Sequence, residues 1–174
     1  MLGKDKELQD HQDARVKKII EPQSAELGFS FDRWVTSDSP TWQRLPIVQL
    51  RRYLGIECDY GMNFNSFDEC WKDLEVLTLT DSFYDEDVGD FRNRVFGAVC
   101  MRRDNGQVFL EWAWVHPFWR NKGVLAGVWG EITERFEEGF FVRTPVSATM
   151  SGFLRKVGHI DSITNPSLFQ MPNS

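Results

Sequence analysis

The sequence predicts one α+β domain, a three-layer arrangement in which a mixed, mainly antiparallel sheet lies between helices on both faces. Three observations predict this class. A length of 174 residues suits a single domain with its own core. Two β-rich segments flank Asn105-Gly106, a dipeptide typical of a tight hairpin. Segments with helical apolar spacing lie before and after this hairpin, so helices are expected to cover the sheet.

The first half of the chain alternates helical and extended patterns. In chain order we predict a mobile leader or a solvated helix within 1–28, a strand over Phe29–Val35, a helix along Leu45–Leu54, a loop over 55–65 and a short helix over 67–74. Gly55 is expected to end the helix before it, because glycine is typical of helix C-termini. Ser66 to Glu69 match a capping box, which predicts the start of the short helix.

The second half of the chain carries clearer signals. In chain order we predict strands over Glu75–Thr80, Arg94–Arg102 and Val108–Val115, a helix from Val124 to Phe136, a short strand over Phe140–Val142 and a helix over Ser147–Val157. Val124, Val128 and Ile132 recur on one face of the first of these helices, as they do in a helix that packs on a sheet. Residues 161–174 are predicted to form a weakly ordered tail.

Acidic residues are concentrated between the first two predicted strands of the second half. Five of them lie within residues 81–90, interrupted by Phe83 and Tyr84. Such a run is typical of a solvated loop. The alternative is an acidic lip that attracts a cationic partner and to which the two aromatic rings add contacts.

The net charge limits the classes of partner. The chain has 20 Lys and Arg against 26 Asp and Glu, a formal net charge of −6. Proteins that bind nucleic acid or anionic lipid normally present a basic surface, so neither partner is expected. No apolar run approaches the roughly 20 residues needed to cross a bilayer, and the charged N-terminus lacks a signal-peptide pattern. We therefore expect a cytoplasmic protein.

Cysteines and aromatic residues bear on the core. Cys58, Cys70 and Cys100 are widely spaced and the three histidines are scattered, so neither a disulfide framework nor a metal site is predicted. We expect buried or half-buried thiols. Aromatic residues make up 14% of the chain. Trp112 and Trp114 are assigned to the inner face of their strand, and Trp129 to the helix that packs over it.

The segment from Glu111 to Phe136 reads as a strand, a turn and a helix, and it is the most informative part of the sequence. A helix N-terminus presents unpaired N–H groups and a positive partial charge, so it can bind an anion such as a pyrophosphate. Gly123 allows close approach of the backbone, while Arg120, Asn121 and Lys122 add donors and charge. The alternative is an ordinary helix cap.

Residues Val115 to Val124, with Arg120 and Gly123 three positions apart, resemble the acyl-CoA-binding motif of the GNAT superfamily of N-acyltransferases. Ser147 to His159 look like the closing helix of that family, and the resemblance covers about residues 75–160. It implies a GNAT-like fold with acetyl-CoA as co-substrate. The matching positions for binding it are Val115, Arg120, Asn121, Lys122, Gly123, Val124, Leu125 and Ser147.

Several positions depart from the family pattern. Leu125 stands where a small residue is usual, and Ser147 and Leu154 stand where the closing helix usually has Asn and Tyr. The family also continues into two further strands, whereas little sequence follows Gly158. The sheet is therefore expected to be shorter at that end, or to be completed by another chain in a homodimer.

The resemblance implies direct transfer of the acetyl group to an amine, which must first lose a proton because an ammonium is not a nucleophile. Glu111 is the candidate base, on a strand face predicted to hold Ala113 and Val115 but not Leu110, Trp112 or Trp114. The alternative is an exposed strand glutamate. His116 is a second candidate, although a position at a strand end favours an exposed histidine.

Two further roles follow from the resemblance. The family places a strand-end N–H, here that of Val115, on the oxyanion of the tetrahedral intermediate. The departing thiolate would take its proton from Ser151 or from water, since the usual Tyr is absent. Phe118 and Trp119 either contact the cofactor or pack against the protein.

The resemblance thus implies an N-acetyltransferase that uses acetyl-CoA, and the scattered cysteines and histidines predict no metal. The alternative is a catalytically silent GNAT-like module that binds acyl-CoA or another protein. Polyamines, aminoglycosides, a protein lysine and a protein N-terminus are all compatible with an amine acceptor.

Overall fold

The computed structural model describes residues 31–58, 71–143 and 147–159. Their elements are β1 (Trp34–Val35), α1 (Thr41–Cys58), β2 (Leu74–Asp85), β3 (Asp90–Asp104), β4 (Gln107–Val115), a 3₁₀ helix (Pro117–Trp119), α2 (Val124–Arg135), β5 (Phe141–Val142) and α3 (Ala148–Lys156). The predicted leader or helix within 1–28 and the predicted tail over 161–174 lie outside the described residues.

The described strands form one sheet in the order β1-β2-β3-β4-β5. The first three pairings are antiparallel, and β4 pairs with β5 in parallel. The predicted mixed, mainly antiparallel sheet is therefore confirmed. The hairpin at Asn105-Gly106 is confirmed too, since both residues have the positive φ, 50° and 78°, that such a turn requires.

Helices cover both faces of the sheet, as the α+β prediction requires. Period-two alternation in β2 sends Val76 to one face and Leu77 to the other. On the first face, Ile47 of α1 packs in a cluster that we call the α1-side core. On the second face, Ile132 of α2 and Leu154 of α3 pack in the α2-side core. Burying each such side chain contributes about 2 kcal/mol.

The predicted ends of the early helices are wrong. Gly55 does not end a helix, because α1 continues to Cys58, so the predicted loop is absent from residues 55–58. Glycine inside a helix costs about 1 kcal/mol relative to alanine, and packing of the apolar stripe outweighs this cost. The predicted helix over 67–74 is wrong where it can be seen, since 71–73 form a turn and Leu74 begins β2.

The acidic run is mostly strand, so the predicted solvated loop is wrong except at the tip, 86–89. Cross-strand ion pairs account for this: Asp81 pairs with Arg94 at 2.7 Å and Asp85 with Arg92 at 2.9 Å. The sequence pattern concealed these pairs because each arginine lies more than five residues from its partner. β2 and β3 therefore extend well beyond their predicted ends.

Cys100 is a buried thiol, as predicted. Burial raises the pKa of Cys100, and the nearby Glu111 carboxylate raises it further. The thiol is therefore protonated and unreactive at neutral pH. The side chains of Cys58 and Cys70 lie outside the described residues.

Candidate active site

An irregularity in β4 shapes the candidate site. Cys100 pairs with Trp112 and Met101 with Leu110, so Glu111 is an extra residue without a cross-strand partner, a β-bulge. The bulge reverses the alternation of side chains along β4. Leu110 packs in the α2-side core together with Ala113 and Val115.

The predicted separation of Ala113 and Val115 from Trp112 and Trp114 is confirmed, but the predicted placement of Leu110 with the two tryptophans is wrong. Trp112 and Trp114 are buried, as predicted, but in the α1-side core. Trp129 is buried on the opposite side of the sheet, so it does not pack over them. A single inserted residue breaks the period-two rule, and nothing in the local composition signals the insertion.

The last part of β4 presents an open edge. β5 pairs with β4 only at Phe109 and Leu110, and the Arg143 N–H donates to the Leu110 carbonyl at 3.1 Å. Among the described residues no strand pairs with the remainder of β4 on that side. The His116 N–H donates to the Phe96 carbonyl of β3 at 2.7 Å. Because successive residues of a strand alternate in direction, the N–H and C=O of Val115 face the open edge.

The turn after β4 leads directly into the N-terminus of α2. Asn121 and Gly123 have left-handed φ values of 60° and 74°, and α2 begins at Val124 with no side-chain cap. The first helical hydrogen bond runs from the Gly127 N–H to the Gly123 carbonyl at 2.9 Å. The N–H groups of residues 124–126 precede it and point out of the helix end. Residues 121–123 and Ala126 are exposed and Val124 and Leu125 are half-buried, so this helix end lies at the surface.

Arg120 lies at the start of this turn and is tied to α1. Its two Nη atoms donate to the two carboxylate oxygens of Glu57 at 2.6 and 2.7 Å, and its Nε donates to the Val115 carbonyl at 2.8 Å. Glu57 also accepts the indole N–H of Trp114 at 2.8 Å, and the guanidinium lies 5.6 Å from the Trp114 ring centroid. We call Glu57, Trp114, Val115 and Arg120 the turn clamp.

The clamp holds Glu57 ionised. Burial raises the pKa of Glu57, but hydrogen bonds from Arg120 and Trp114 and the charge of Arg120 lower it by more, so the net shift is downward. Sequence reasoning missed Glu57 because it placed residue 57 in a loop. A prediction that α1 ends at Cys58 would have placed the Glu57 carboxylate in the last turn of the helix.

The aromatic residues before Arg120 differ in their surroundings. Trp119 stacks on Phe96 with centroids 4.2 Å apart, and the Lys122 amine lies 5.1 Å from the Trp119 centroid. Trp119 therefore packs against the protein. Phe118 is 63% exposed, and its ring centroid lies 5.2 Å from that of His116.

Glu111 is not an exposed strand glutamate. Its side chain is 22% exposed, and its Oε2 lies 3.2 Å from Arg143 Nε and 3.5 Å from Arg102 Nε. Arg102 comes from β3 and Arg143 follows β5, so the sheet pairing brings both guanidinium groups to the bulge. Neither arginine stood out in the sequence, because their approach depends on strand register.

His116 is 1% exposed, so the expectation of an exposed histidine is wrong. Its Nδ1 accepts the Phe118 N–H at 3.3 Å, which caps the 3₁₀ helix, and its ring meets Trp114 edge to face at 6.0 Å. This cap gives His116 a structural role at the end of β4.

Residues of α3 are less closely tied to the turn. Ser147 is the N-cap of α3, where its hydroxyl accepts the Met150 N–H at 3.2 Å. Ser151 is half-buried in the next turn, and Leu154 is fully buried. Within residues 31–58, 71–143 and 147–159, no hydrogen bond or ion pair joins Ser147 or Ser151 to residues 120–123. Leu125 and Val124 pack against the α2-side core.

The described residues contain neither a membrane-spanning helix nor a cluster of metal ligands. None of the described helices is long and apolar enough to span a membrane. In the same part of the chain, no group of three or more His, Cys, Asp or Glu side chains is arranged to hold a metal ion.

No protein-family model and no curated protein matches the sequence. Among solved structures, one similar chain is an aminoglycoside acetyltransferase from an uncultured soil metagenomic sample, in complex with sisomicin. The TM-score is 0.47 at 9% sequence identity, and the match covers 81% of this chain and 93% of that chain. Similarity at this level assigns neither a family nor an activity to this chain.

Proposed function

We propose that this protein is an N-acetyltransferase that transfers an acetyl group from acetyl-CoA directly to an amine. The observation that carries the proposal is the open edge of β4, whose last residue precedes the uncapped N-terminus of α2 by nine positions. The pantetheine arm contains amides that can pair with a strand edge, as an added strand does. The pyrophosphate would then reach the N–H groups at the start of α2.

The turn would bind the pyrophosphate mainly through its backbone. The N–H groups of Gly123, Val124 and Leu125 lie at the helix end, and the exposed Asn121 and Lys122 add a polar group and a charge. The left-handed φ of Gly123 forms the turn without steric cost. The exposed ring of Phe118 is the proposed contact for the cofactor beside the turn.

In the proposed reaction a C–N bond forms and the thioester C–S bond breaks. The Val115 N–H, on the open edge, would donate to the oxyanion of the tetrahedral intermediate. The amine proton passes through water to the Glu111 carboxylate, whose Oε2 is held by Arg102 and Arg143. Ser151 or water gives a proton to the departing thiolate.

The exposed carboxylates of the hairpin of β2 and β3 favour a cationic acceptor. Asp81 and Asp85 are engaged by arginines, but Glu86, Asp87 and Asp90 are exposed at the tip. These three carboxylates form a local negative surface that attracts a positively charged amine.

Thermal unfolding with and without acetyl-CoA tests the proposal. A ligand at 100 times its Kd adds about 2.7 kcal/mol of stability, which raises the Tm by roughly 5–10 °C for a chain of this size. Gly123→Glu should abolish the increase, because the new carboxylate faces the pyrophosphate. Gly106→Glu is the matched control, since Gly106 has a similar φ, 78° against 74°, and equally open surroundings.

Release of CoA with a panel of amines then tests catalysis. Glu111→Gln should slow release and leave the Tm increase intact. A Tm increase without CoA release from any amine would favour a catalytically silent acyl-CoA-binding module, and no Tm increase at millimolar acetyl-CoA would contradict both functions.

A further inference from the structure

We propose that Glu57 is a positioning residue for the acyl-CoA site, and that the Arg120 side chain, held by Glu57, orients the backbone of Val115 and does not bind the pyrophosphate. This inference rests on the proposed function. It assigns a role to Glu57, which lies outside the strand-turn-helix segment. It also assigns a role to Arg120, whose charge suggested a phosphate ligand.

The donors of Arg120 are already directed at protein atoms. Both Nη atoms form a two-pronged pair with Glu57, and Nε donates to Val115. A planar guanidinium presents its donors in fixed directions, so it cannot turn its fork to a phosphate without breaking the pair with Glu57. Glu57 also cancels the charge of Arg120, which leaves Lys122 as the cation of the turn.

The clamp acts on the proposed reaction centre through the backbone of one residue, Val115. The C=O of Val115 faces the open edge of β4 and is held there by Arg120 Nε at 2.8 Å. The N–H and C=O of an extended strand residue point to the same side, so holding this C=O at the edge keeps Val115 extended and its N–H, proposed to bind the oxyanion, on the same edge. Glu57 is itself held by the Trp114 indole and by the position of α1.

A second cluster of the same composition provides a matched control. Glu131 on α2 accepts hydrogen bonds from the Arg33 guanidinium at 2.8 Å and from the Trp34 indole N–H at 2.9 Å. Arg33 also donates to the Thr78 carbonyl at 3.1 Å. The glutamates are similarly exposed, at 40% for Glu57 and 35% for Glu131. Glu131 ties α2 to β1 and lies two helical turns from the proposed pyrophosphate site.

The test measures acetyl-CoA affinity by calorimetry for the full chain and for Glu57→Gln, Glu131→Gln and Arg120→Gln. The two glutamate variants should lower the Tm by similar amounts. Only Glu57→Gln and Arg120→Gln should raise the Kd, each by about tenfold, a coupling typical of residues in direct contact. The double variant should bind no more weakly than either single variant, because one clamp is lost in each case.

Salt dependence separates positioning from phosphate binding. Lys122→Gln should reduce the salt dependence of the Kd, whereas Arg120→Gln should leave it unchanged. Arg120→Lys keeps the charge and loses the fork, so it should bind as weakly as Arg120→Gln; this variant also serves if Glu57→Gln fails to fold.

The outcomes distinguish the inference from the proposed function. If the unaltered chain does not bind acetyl-CoA, both are overturned. If it binds and Glu57→Gln binds equally or more tightly, or if Arg120→Lys restores full affinity, the inference alone is overturned.

Discussion

Gly97 in β3 pairs with Val115 at the end of β4, and its replacement by alanine tests the geometry there. A Cβ at this position would lie 2.8 Å from Leu79 Cδ1, 2.8 Å from the Trp114 carbonyl oxygen and 3.3 Å from Val115 Cα. Two of these three atoms belong to the backbone, which cannot rotate away as a side chain can. Gly97→Ala should therefore displace the last residues of β4.

The expected cost follows from this overpacking. Extra methyl groups in a tightly packed position cost about 1–3 kcal/mol, and each kcal/mol lowers the Tm of a chain of this size by about 2–4 °C. Gly97→Ala should lower the Tm by about 2–12 °C, measured by differential scanning calorimetry. Because Val115 moves, the Kd for acetyl-CoA should also rise.

Gly130→Ala is the control for this substitution. Gly130 lies inside α2, and a Cβ there would meet no atom within 4 Å. Alanine in a helix interior is favoured over glycine by about 1 kcal/mol, so Gly130→Ala should raise the Tm. A Gly97→Ala protein as stable as the unaltered chain would refute the reasoning, since it would mean that β3 and β4 do not approach this closely.

Two further predictions concern stability. Leu154→Ala should destabilise the protein by about 2–5 kcal/mol, because Leu154 is fully buried and its loss leaves a cavity in the α2-side core. Urea unfolding measures this loss of stability. A loss below about 1 kcal/mol would contradict the packing of α3 on that core. Burial raises the pKa of Glu75, but Arg135 and Arg103 lower it by more. The folded protein therefore gains stability from Glu75 above the ordinary carboxyl pKa of 4.5 and loses it as pH falls through the lowered value. Unfolding at pH 7 and pH 3 should show a smaller acid loss for Glu75→Gln than for the unaltered chain, and equal losses would contradict this.

The sequence predicted the parts of the fold that depend on local patterns. The hairpin at Asn105-Gly106 follows from two residues that accept positive φ, and α2 follows from an apolar stripe that begins after Gly123. Helices on both faces follow from amphipathic segments on either side of the hairpin. Each of these features needs only neighbouring residues to define it.

Features that depend on distant contacts could not be predicted in this way. The hairpin of β2 and β3 extends through an acidic run because Arg92 and Arg94 pair with it across the strands. The bulge at Glu111 depends on the register between β3 and β4, and it moves Trp112 and Trp114 to the α1-side core.

In the candidate site too, features defined by neighbouring residues could be predicted and features that depend on distant contacts could not. The uncapped helix end at Gly123 is visible in the sequence, because it follows from a strand, a glycine turn and a helix. The role of Glu57 is not visible in the sequence, because its contact with Arg120 joins residues 63 positions apart. The net charge of −6 argues against a basic surface, yet it carries no information on a helix end whose donors are backbone N–H groups.

The most direct test of the central claim is a titration of the ¹⁵N-labelled protein with acetyl-CoA, followed by the backbone amide signals. We expect the largest shifts at Val115 on the open edge of β4 and at Gly123, Val124 and Leu125 at the start of α2, and no change at the hairpin turn of Gly106. Shifts confined to other parts of the chain, or no shifts at millimolar acetyl-CoA, would contradict the account.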